Sequence, residues 1–115
     1  MQIITFPCNQ FLSQEPQGSA KIEACVRKSY ALDTGFKVME KVEVNGSNTH
    51  PVYQWLRLHS SKDAAPLSWN FCLFMVGSDG VTVTRYAQSR SPCTLRADIE
   101  DALAATSKSA VAELL

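Results

Sequence analysis

Four cysteines are the first candidates for chemistry in this sequence. They are Cys8, Cys25, Cys72 and Cys93. No two of them form a CxxC pair, so their spacing does not predict a zinc site. Cysteines spread in this way through a cytosolic chain are usually buried hydrophobic residues and occasionally redox groups. The cysteine and histidine content does not indicate a cysteine hydrolase. We expect His50 to satisfy the start of a helix and His59 to lie at the end of one. Cys72 is expected in the core and Cys93 in a loop.

The composition is that of one ordinary globular domain over residues 1–115, with 45% hydrophobic and 19% charged residues. Eleven Lys and Arg balance eleven Asp and Glu, and a neutral chain without a basic stripe is poorly suited to nucleic acid. No apolar run approaches the roughly 18 residues of a membrane span. The first residues lack the features of a signal peptide, which predicts a cytoplasmic protein and leaves open a targeting segment upstream.

The first half of the chain predicts a strand, a helix and a second extended stretch. The strand covers Ile3–Phe6, whose residues are β-branched or aromatic. A helix that Ser19 can cap runs on to Gly35, because apolar residues recur there at helical spacing. The extended stretch Phe36–Val44 is closed by an Asn-Gly turn at residues 45–46.

The second half begins with a predicted helix and a β-hairpin. Thr49 can cap the helix, which places Leu56 on its inner face. The run Phe71–Val76 is apolar on both faces, which is typical of a central strand. A turn at residues 77–80 leads from this run into Val81–Thr84, whose alternation predicts a strand with one wet face.

The last predicted element is a helix that starts near Thr94 and places Leu95 and Ile99 on one face. The tail beyond Thr106 is small and polar until Leu114, and its order is left open. The elements follow one another as strand, helix, strand, helix, hairpin and helix. This order predicts an α/β fold with a mixed sheet.

Three blocks of sequence are similar to the glutathione peroxidase family, and together they extend over essentially the whole chain. The first reads Phe-Pro-Cys-Asn-Gln-Phe at residues 6–11 and continues into Gln-Glu-Pro at residues 14–16. The second is Val-Asn-Gly at residues 44–46, followed shortly by His-Pro at residues 50–51. The third begins with Trp-Asn-Phe at residue 69 and continues through Asp-Gly at residue 79 to Arg-Tyr at residue 85.

This resemblance implies a thioredoxin-like fold and the reduction of hydrogen peroxide or organic hydroperoxides, with glutathione or a thioredoxin-like protein as reductant and no bound cofactor or metal. Such chemistry needs a thiolate or selenolate nucleophile, since the anion attacks the O–O bond. It also needs N–H donors that favour the anion and stabilise the leaving oxygen. In the family these donors are a glutamine amide, a tryptophan indole and an asparagine amide. The matching residues here are Gln14, Trp69 and Asn70.

The chain departs from the family pattern at the nucleophile, which in the family lies upstream of the block at residues 6–11. We therefore expect an incomplete domain without the first strand and the helix that bears the nucleophile. Leu73 stands where the family commonly has a lysine. Cys25 is a candidate resolving thiol, although it falls two residues early on its helix, which is about half a helical turn.

Three hypotheses follow from this pattern. The chain is part of a working peroxidase, or it is a non-catalytic pseudoenzyme with a structural or binding role in a larger assembly. The third is that it retains weak thiol chemistry through Cys25 or Cys8. The presence of Gln14, Trp69 and Asn70 favours the first, because an abandoned site would tend to lose its donors.

The resemblance also leads to a prediction about the sheet. In a thioredoxin fold the first strand lies between the second strand, here Ile3–Phe6, and the hairpin that begins with Phe71–Val76. We therefore expect a vacant slot between these strands, marginal stability, and pairing with another chain through the open edges. We also expect Gln14, Trp69 and Asn70 to converge at the carboxyl edge of the sheet.

Overall fold

The computed structural model describes residues 1–29, 35–60 and 64–105 and the backbone of residues 111–114, and it has the predicted mixed α/β architecture. Its elements in chain order are strand β1 (Gln2–Thr5), helix α1 (Ser19–Ser29), strand β2 (Phe36–Val38), helix α2 (Pro51–His59), strand β3 (Leu73–Val76), strand β4 (Val83–Tyr86), a 3₁₀ turn (Pro92–Leu95), helix α3 (Arg96–Ala104) and strand β5 (Val111–Leu114).

The five strands form one sheet in the order β2-β1-β5-β3-β4. Strand β1 pairs in parallel with β2 and with β5, whereas β3 pairs antiparallel with β5 and with β4. The C-terminal strand β5 thus occupies the position between β1 and β3. The predicted vacant slot and its two open inner edges are therefore wrong. Backbone N–H and C=O groups at a strand edge need partners, and the tail supplies them.

The two faces of the sheet carry two hydrophobic cores of unequal size. Ile4 and Phe74 lie on the face that α2 covers, where Tyr53 and Leu56 are almost completely buried. The larger core consists of Phe6, Cys8, Phe11, Val44, Tyr53, Leu56, Leu67, Cys72, Phe74 and Val83. The opposite face carries a smaller core in which Leu95 packs with Leu73 and Tyr86, and Ile99 of α3 packs against them.

The helix starts differ from the prediction in their capping residues. Helix α1 begins at Ser19, but the Ser19 hydroxyl accepts a hydrogen bond from the Lys41 N–H at 2.9 Å, so the predicted cap is wrong. Its predicted extension through residues 30–34 lies outside the described residues. At α2 the cap is His50, whose Nδ1 accepts the N–H of Val52 at 3.1 Å, as expected for a helix start. Thr49 instead donates its hydroxyl to the Gly46 carbonyl at 2.7 Å.

All four predicted strands are shorter or shifted relative to the sequence pattern. Strand β1 covers Gln2–Thr5, one residue earlier than predicted. Strand β2 covers only Phe36–Val38 of the predicted extended stretch. Strand β3 begins at Leu73 because Phe71 adopts a φ of 60°, which is incompatible with a strand. Strand β4 begins two residues late, at Val83, since the preceding turn holds residues 81–82 in hydrogen bonds to a carboxylate.

The last two elements also depart from the expected pattern. The last helix starts at Arg96, after the 3₁₀ turn that contains Thr94. No residue of α3 is buried, although Leu95 just before it is. Residues 111–114 of the tail, whose order the sequence left open, form strand β5.

Candidate functional site

Two of the three predicted donor residues are in direct contact. Asn70 donates from Nδ2 to Oε1 of Gln14 at 2.8 Å, although the two residues are 56 positions apart in the sequence. Gln14 lies in the loop that follows β1, and Asn70 lies just before β3. The loop after β1 and the segment that enters β3 are thus brought together by a pair of side-chain amides.

Trp69 reaches the same region through an aromatic contact. Its ring lies 5.7 Å from the ring of buried Phe11, which is three residues before Gln14. About a third of the Trp69 surface is exposed, with a relative accessibility of 36%. Among the described residues, none accepts a hydrogen bond from the Trp69 indole. Trp69 therefore precedes Asn70 directly and packs its ring against Phe11, but it does not line the cleft that Gln14 and Asn70 share.

The backbone on both sides of the amide pair is in an uncommon conformation. Leu12 and Ser13, which precede Gln14, have φ values of 53° and 51°, and Phe71, which follows Asn70, has a φ of 60°. Within the part of the chain that the structure describes, these are the non-glycine residues with positive φ. Such backbone strain tends to cluster at functional sites, where the surrounding structure maintains it.

A cleft of about 560 Å³ opens next to the amide pair. Gln14 and Asn70 are among its polar lining residues, together with Thr5 and Glu15. The rest of the lining is mostly apolar and includes Ile22 and Val26 from α1 and Phe36 and Val38 from β2. An apolar cleft with a few convergent polar groups is the usual form of a small-molecule site.

A second set of amides positions the loop after β1 and the segment before β3. Gln10 accepts the N–H groups of Val44 and Asn45 on Oε1 at 2.8 Å and 3.0 Å, and its Nε2 donates to the Asn45 carbonyl at 2.8 Å. The Gln10 side chain thus joins the loop after β1 to residues 44–45.

The side chain of Asn45 extends this connection toward the third block of sequence. Its Nδ2 donates to the carbonyl of Leu67 at 2.7 Å, and its Oδ1 accepts the Leu67 N–H at 2.9 Å. Leu67 is buried and precedes Trp69 by two residues. Gln10 and Asn45 therefore connect the loop that carries Gln14 to the segment that carries Asn70. Their presence in the blocks at residues 6–16 and 44–51 is the sequence signal that could have identified them.

The four cysteines occupy different environments, and all are free thiols. Cys8 is buried, lines the cleft, and exchanges two weak hydrogen bonds with Gln10 at 3.5 Å and 3.6 Å. Cys72 is buried, as predicted for a core residue. Cys25 and Cys93 are exposed. Cys25 does not line the cleft, although its helix neighbour Val26 does, so its role as a resolving thiol stays a prediction.

Two groups with shifted pKa values lie outside the cleft. The hydroxyl of Thr82, together with the N–H groups of Thr82 and Val81, lowers the pKa of Asp79 to about 2. Burial, and then the neighbouring carboxylate of Asp98, raise the pKa of Tyr86 to about 12. Tyr86 donates its hydroxyl to that carboxylate at 3.0 Å, which joins β4 to α3. The pKa shift of Asp79 follows from its turn, and that of Tyr86 follows from burial and the contact with α3. Neither shift indicates chemistry in the cleft.

The sheet order and the placement of the helices define a thioredoxin-like α/β protein. The crystal structure of Trgpx in apo form shares this fold, with a TM-score of 0.63 and 28% sequence identity over 90% of this chain and 57% of that one. Within the described residues, no helix combines the length and the apolar character that a membrane crossing requires.

The sequence comparisons identify the family. The glutathione peroxidase family model matches residues 1–57. "Probable glutathione peroxidase 5" of Arabidopsis thaliana is 43% identical in an alignment of 107 positions that covers 89% of this chain and 58% of that protein. A "Glutathione peroxidase homolog" of Neisseria meningitidis is 36% identical in an alignment of 121 positions that covers 86% of this chain and 67% of that protein. The chain belongs to the glutathione peroxidase family, and it spans about three fifths of the length of the Arabidopsis relative.

Proposed function

We propose that this chain carries the N–H donors of a thiol or selenol peroxidase site, in a protein that reduces hydroperoxides and so protects against oxidative stress. The hydrogen bond from Asn70 to Gln14 is the observation that carries this proposal. It joins two of the residues that match the family's donors, at the mouth of a cleft large enough for a small substrate.

The direction of that hydrogen bond determines which groups are left to act on an anion. The Gln14 carbonyl oxygen is engaged by Asn70, so both N–H bonds of Gln14 Nε2 and the second N–H of Asn70 remain as donors. No described residue accepts from Gln14 Nε2. These three amide N–H bonds form a donor set that suits a thiolate or selenolate, and we propose that the indole N–H of neighbouring Trp69 joins them.

In the proposed reaction the thiolate or selenolate attacks one peroxide oxygen. The new S–O or Se–O bond forms as the O–O bond breaks, and the second oxygen leaves with a proton as water or an alcohol. The N–H donors stabilise the anion before attack and the leaving oxygen during it. Two reducing equivalents from glutathione or a thioredoxin-like protein then restore the thiol or selenol. We place the attacking residue upstream of the block at residues 6–11, outside the four cysteines.

The first test measures turnover by the 115-residue chain itself. We expect no reduction of hydrogen peroxide or cumene hydroperoxide in assays coupled to glutathione or thioredoxin, because the donors lack an anion to stabilise. Turnover that is lost in Cys25→Ser or Cys8→Ser would contradict the proposal and support the hypothesis of weak thiol chemistry. The cytoplasmic location predicted from the sequence is a separate expectation, which fractionation of cells would check.

The second test supplies the nucleophile. The part of the Arabidopsis relative that precedes its region of similarity to this chain is joined to this chain, and kcat/KM for hydroperoxide is measured. We expect Gln14→Ala and Asn70→Ala each to lower kcat/KM by about 10²-fold, the usual effect of losing one preorganised donor. Asn48→Ala is the matched control, because Asn48 is an exposed amide that does not line the cleft. This variant should leave kcat/KM unchanged. Equal activity in all three variants would refute the assignment of donors.

A further inference from the structure

The backbone that follows Gln14 is held in place by Lys41, a residue from a distant part of the sequence. The Lys41 ammonium donates to the carbonyl of Glu15 at 3.1 Å and to that of Gln17 at 2.7 Å. The backbone N–H of Lys41 donates to the Ser19 hydroxyl at 2.9 Å. Lys41 thus makes three hydrogen bonds to the segment that runs from Gln14 into helix α1.

The hydrogen bond to Glu15 fixes the backbone next to Gln14. The peptide between Gln14 and Glu15 is planar, and its N–H donates to the side-chain oxygen of Asn9 at 2.8 Å. The next peptide joins Glu15 to Pro16 and has no N–H, so its carbonyl is the polar group by which it can be held. Lys41 binds that carbonyl. The two peptides that follow Gln14 are therefore both fixed by side chains of other residues.

The charge of Lys41 acts on the backbone rather than on a carboxylate. Lys41 is half-buried, and within the described part of the chain no Asp or Glu side chain pairs with its ammonium. An ammonium has donors and no acceptor, and charge-assisted hydrogen bonds are stronger than those between neutral groups. Such bonds can maintain a loop in which Leu12 and Ser13, just before Gln14, adopt positive φ.

We propose that Lys41 is a positioning residue of the peroxidase site: its ammonium fixes the backbone after Gln14 and thereby holds the Gln14 amide against Asn70. Lys41 does not line the cleft, so it acts through Gln14 rather than on the substrate. Without the ammonium the strained loop relaxes and Gln14 moves away from Asn70. The catalytic part of this proposal rests on the proposed function, whereas the structural link from Lys41 to the amide pair can be tested without activity.

The first experiment measures the contact between Gln14 and Asn70 in the 115-residue chain by NMR. Lys41→Met keeps most of the length of the side chain and removes the ammonium. Lys37→Met, at an exposed lysine of β2, is the matched control. The readout is the NOE between the side-chain amide protons of Asn70 and the Cγ protons of Gln14. The methyl signals of buried Leu56 report on the core.

We expect Lys41→Met to lose this NOE while the Leu56 signals keep their positions, and Lys37→Met to retain it. An NOE of parental intensity in Lys41→Met would overturn the proposal. Loss of the NOE together with shifted Leu56 signals, or the same loss in Lys37→Met, would also overturn it, because either result would show a general effect on the fold.

The second experiment measures kcat/KM for hydroperoxide in the fusion with the N-terminal part of the Arabidopsis relative. We expect Lys41→Met to lower kcat/KM by about 10-fold, because a misplaced donor stabilises the transition state less well. Lys41→Arg keeps a cation with several N–H donors and should recover most of the activity. The double variant Lys41→Met/Gln14→Ala should match Gln14→Ala, since a residue that acts only through Gln14 has no effect once that amide is gone.

Full activity in Lys41→Met would refute the positioning role. A double variant about 10-fold less active than Gln14→Ala would do the same, because additive losses indicate that Lys41 acts independently of Gln14. If Gln14→Ala itself keeps full activity, the donor role of Gln14 in the proposed function fails, and the NOE in Lys41→Met separately decides whether Lys41 holds the amide pair.

Discussion

Gln14 and Asn70 are held together at the cost of local backbone strain. The residues on either side, Leu12, Ser13 and Phe71, adopt the left-handed conformation, which costs a non-glycine residue about 1–2 kcal/mol. Leu12 and Phe71 are also exposed, so their side chains contribute little burial in return. The site therefore depends on the surrounding hydrogen bonds to maintain a conformation that the local sequence disfavours.

Because Leu12 has a positive φ, we predict that glycine is tolerated at this position. Leu12 and Leu58 are equally exposed, at 77% and 76%, but Leu58 lies within helix α2. Leu58→Gly should lower the free energy of unfolding by about 1 kcal/mol, the usual cost of glycine in a helix. Leu12→Gly should leave it unchanged or raise it by up to about 1 kcal/mol, because glycine adopts positive φ without strain. Urea denaturation of both variants measures the difference, and equal losses would show that Leu12 is not strained.

A second prediction concerns Asp79 and the turn before β4. Hydrogen bonds from Thr82 and Val81 lower its pKa from the ordinary value of 3.8 to about 2. Since the pKa is lower in the folded state, this carboxylate stabilises the turn above about pH 4, and the contribution is lost as the pH falls toward 2. Thr82→Val removes the largest cause and should raise the pKa toward 3.8, as measured by NMR titration of the carboxyl carbon. Thr84→Val, two residues further along the chain, is the control, and in this variant the pKa of Asp79 should stay near 2.

Among the elements of the fold, the loops around the site are connected by side chains rather than by strand pairing. Gln10 binds residues 44–45, and Asn45 binds the backbone of Leu67 in both directions. Leu67 is 2% exposed, so its N–H and C=O groups have no access to bulk water. These amides bring the loop after β1 and the segment before β3 to the same place, which neither element would do by itself.

Replacement of Asn45 tests this connection. Asn45→Ala removes both hydrogen bonds to Leu67 and leaves a buried N–H and a buried C=O without partners, so the free energy of unfolding should fall by about 2 kcal/mol. Asn48→Ala, in the same loop but exposed, should change it by less than about 0.5 kcal/mol. The measurement is chemical denaturation, with the unfolding curves of both variants fitted to the same m-value. A similarly small loss of unfolding free energy in both variants would mean that Asn45 does not hold its loop to Leu67.

In the whole molecule, burial is concentrated on one side of the sheet. The α2 face contains the larger core, with Tyr53, Leu56 and Phe74 almost inaccessible to solvent. The α3 face has a smaller core around Leu95, and both the cleft beside Gln14 and a cavity of about 90 Å³ at Leu95 lie on that side. Stability therefore depends mainly on the α2 face and on the continuity of the sheet that β5 provides.

Local features of the sequence were sufficient to predict most of the elements. Apolar periodicity predicted α1 and α2, and the apolar run that ends at Val76 predicted β3. His50 was correctly expected at a helix start and Cys72 in the core. The three blocks of sequence led to the correct family, because each combines several residues at fixed spacing. These properties are encoded within short stretches of chain, so they can be deduced without knowledge of the fold.

Tertiary structure alone decided the position of β5 and the hydrogen bond between Gln14 and Asn70. Residues 111–114 have too weak a local pattern to predict a strand, and they form one because β1 and β3 offer backbone pairing groups on both sides. Gln14 and Asn70 meet across 56 positions of sequence, through loops that other amides hold. The reason is common to these cases: hydrogen-bonding groups must find partners in the folded chain, and distant residues supply them.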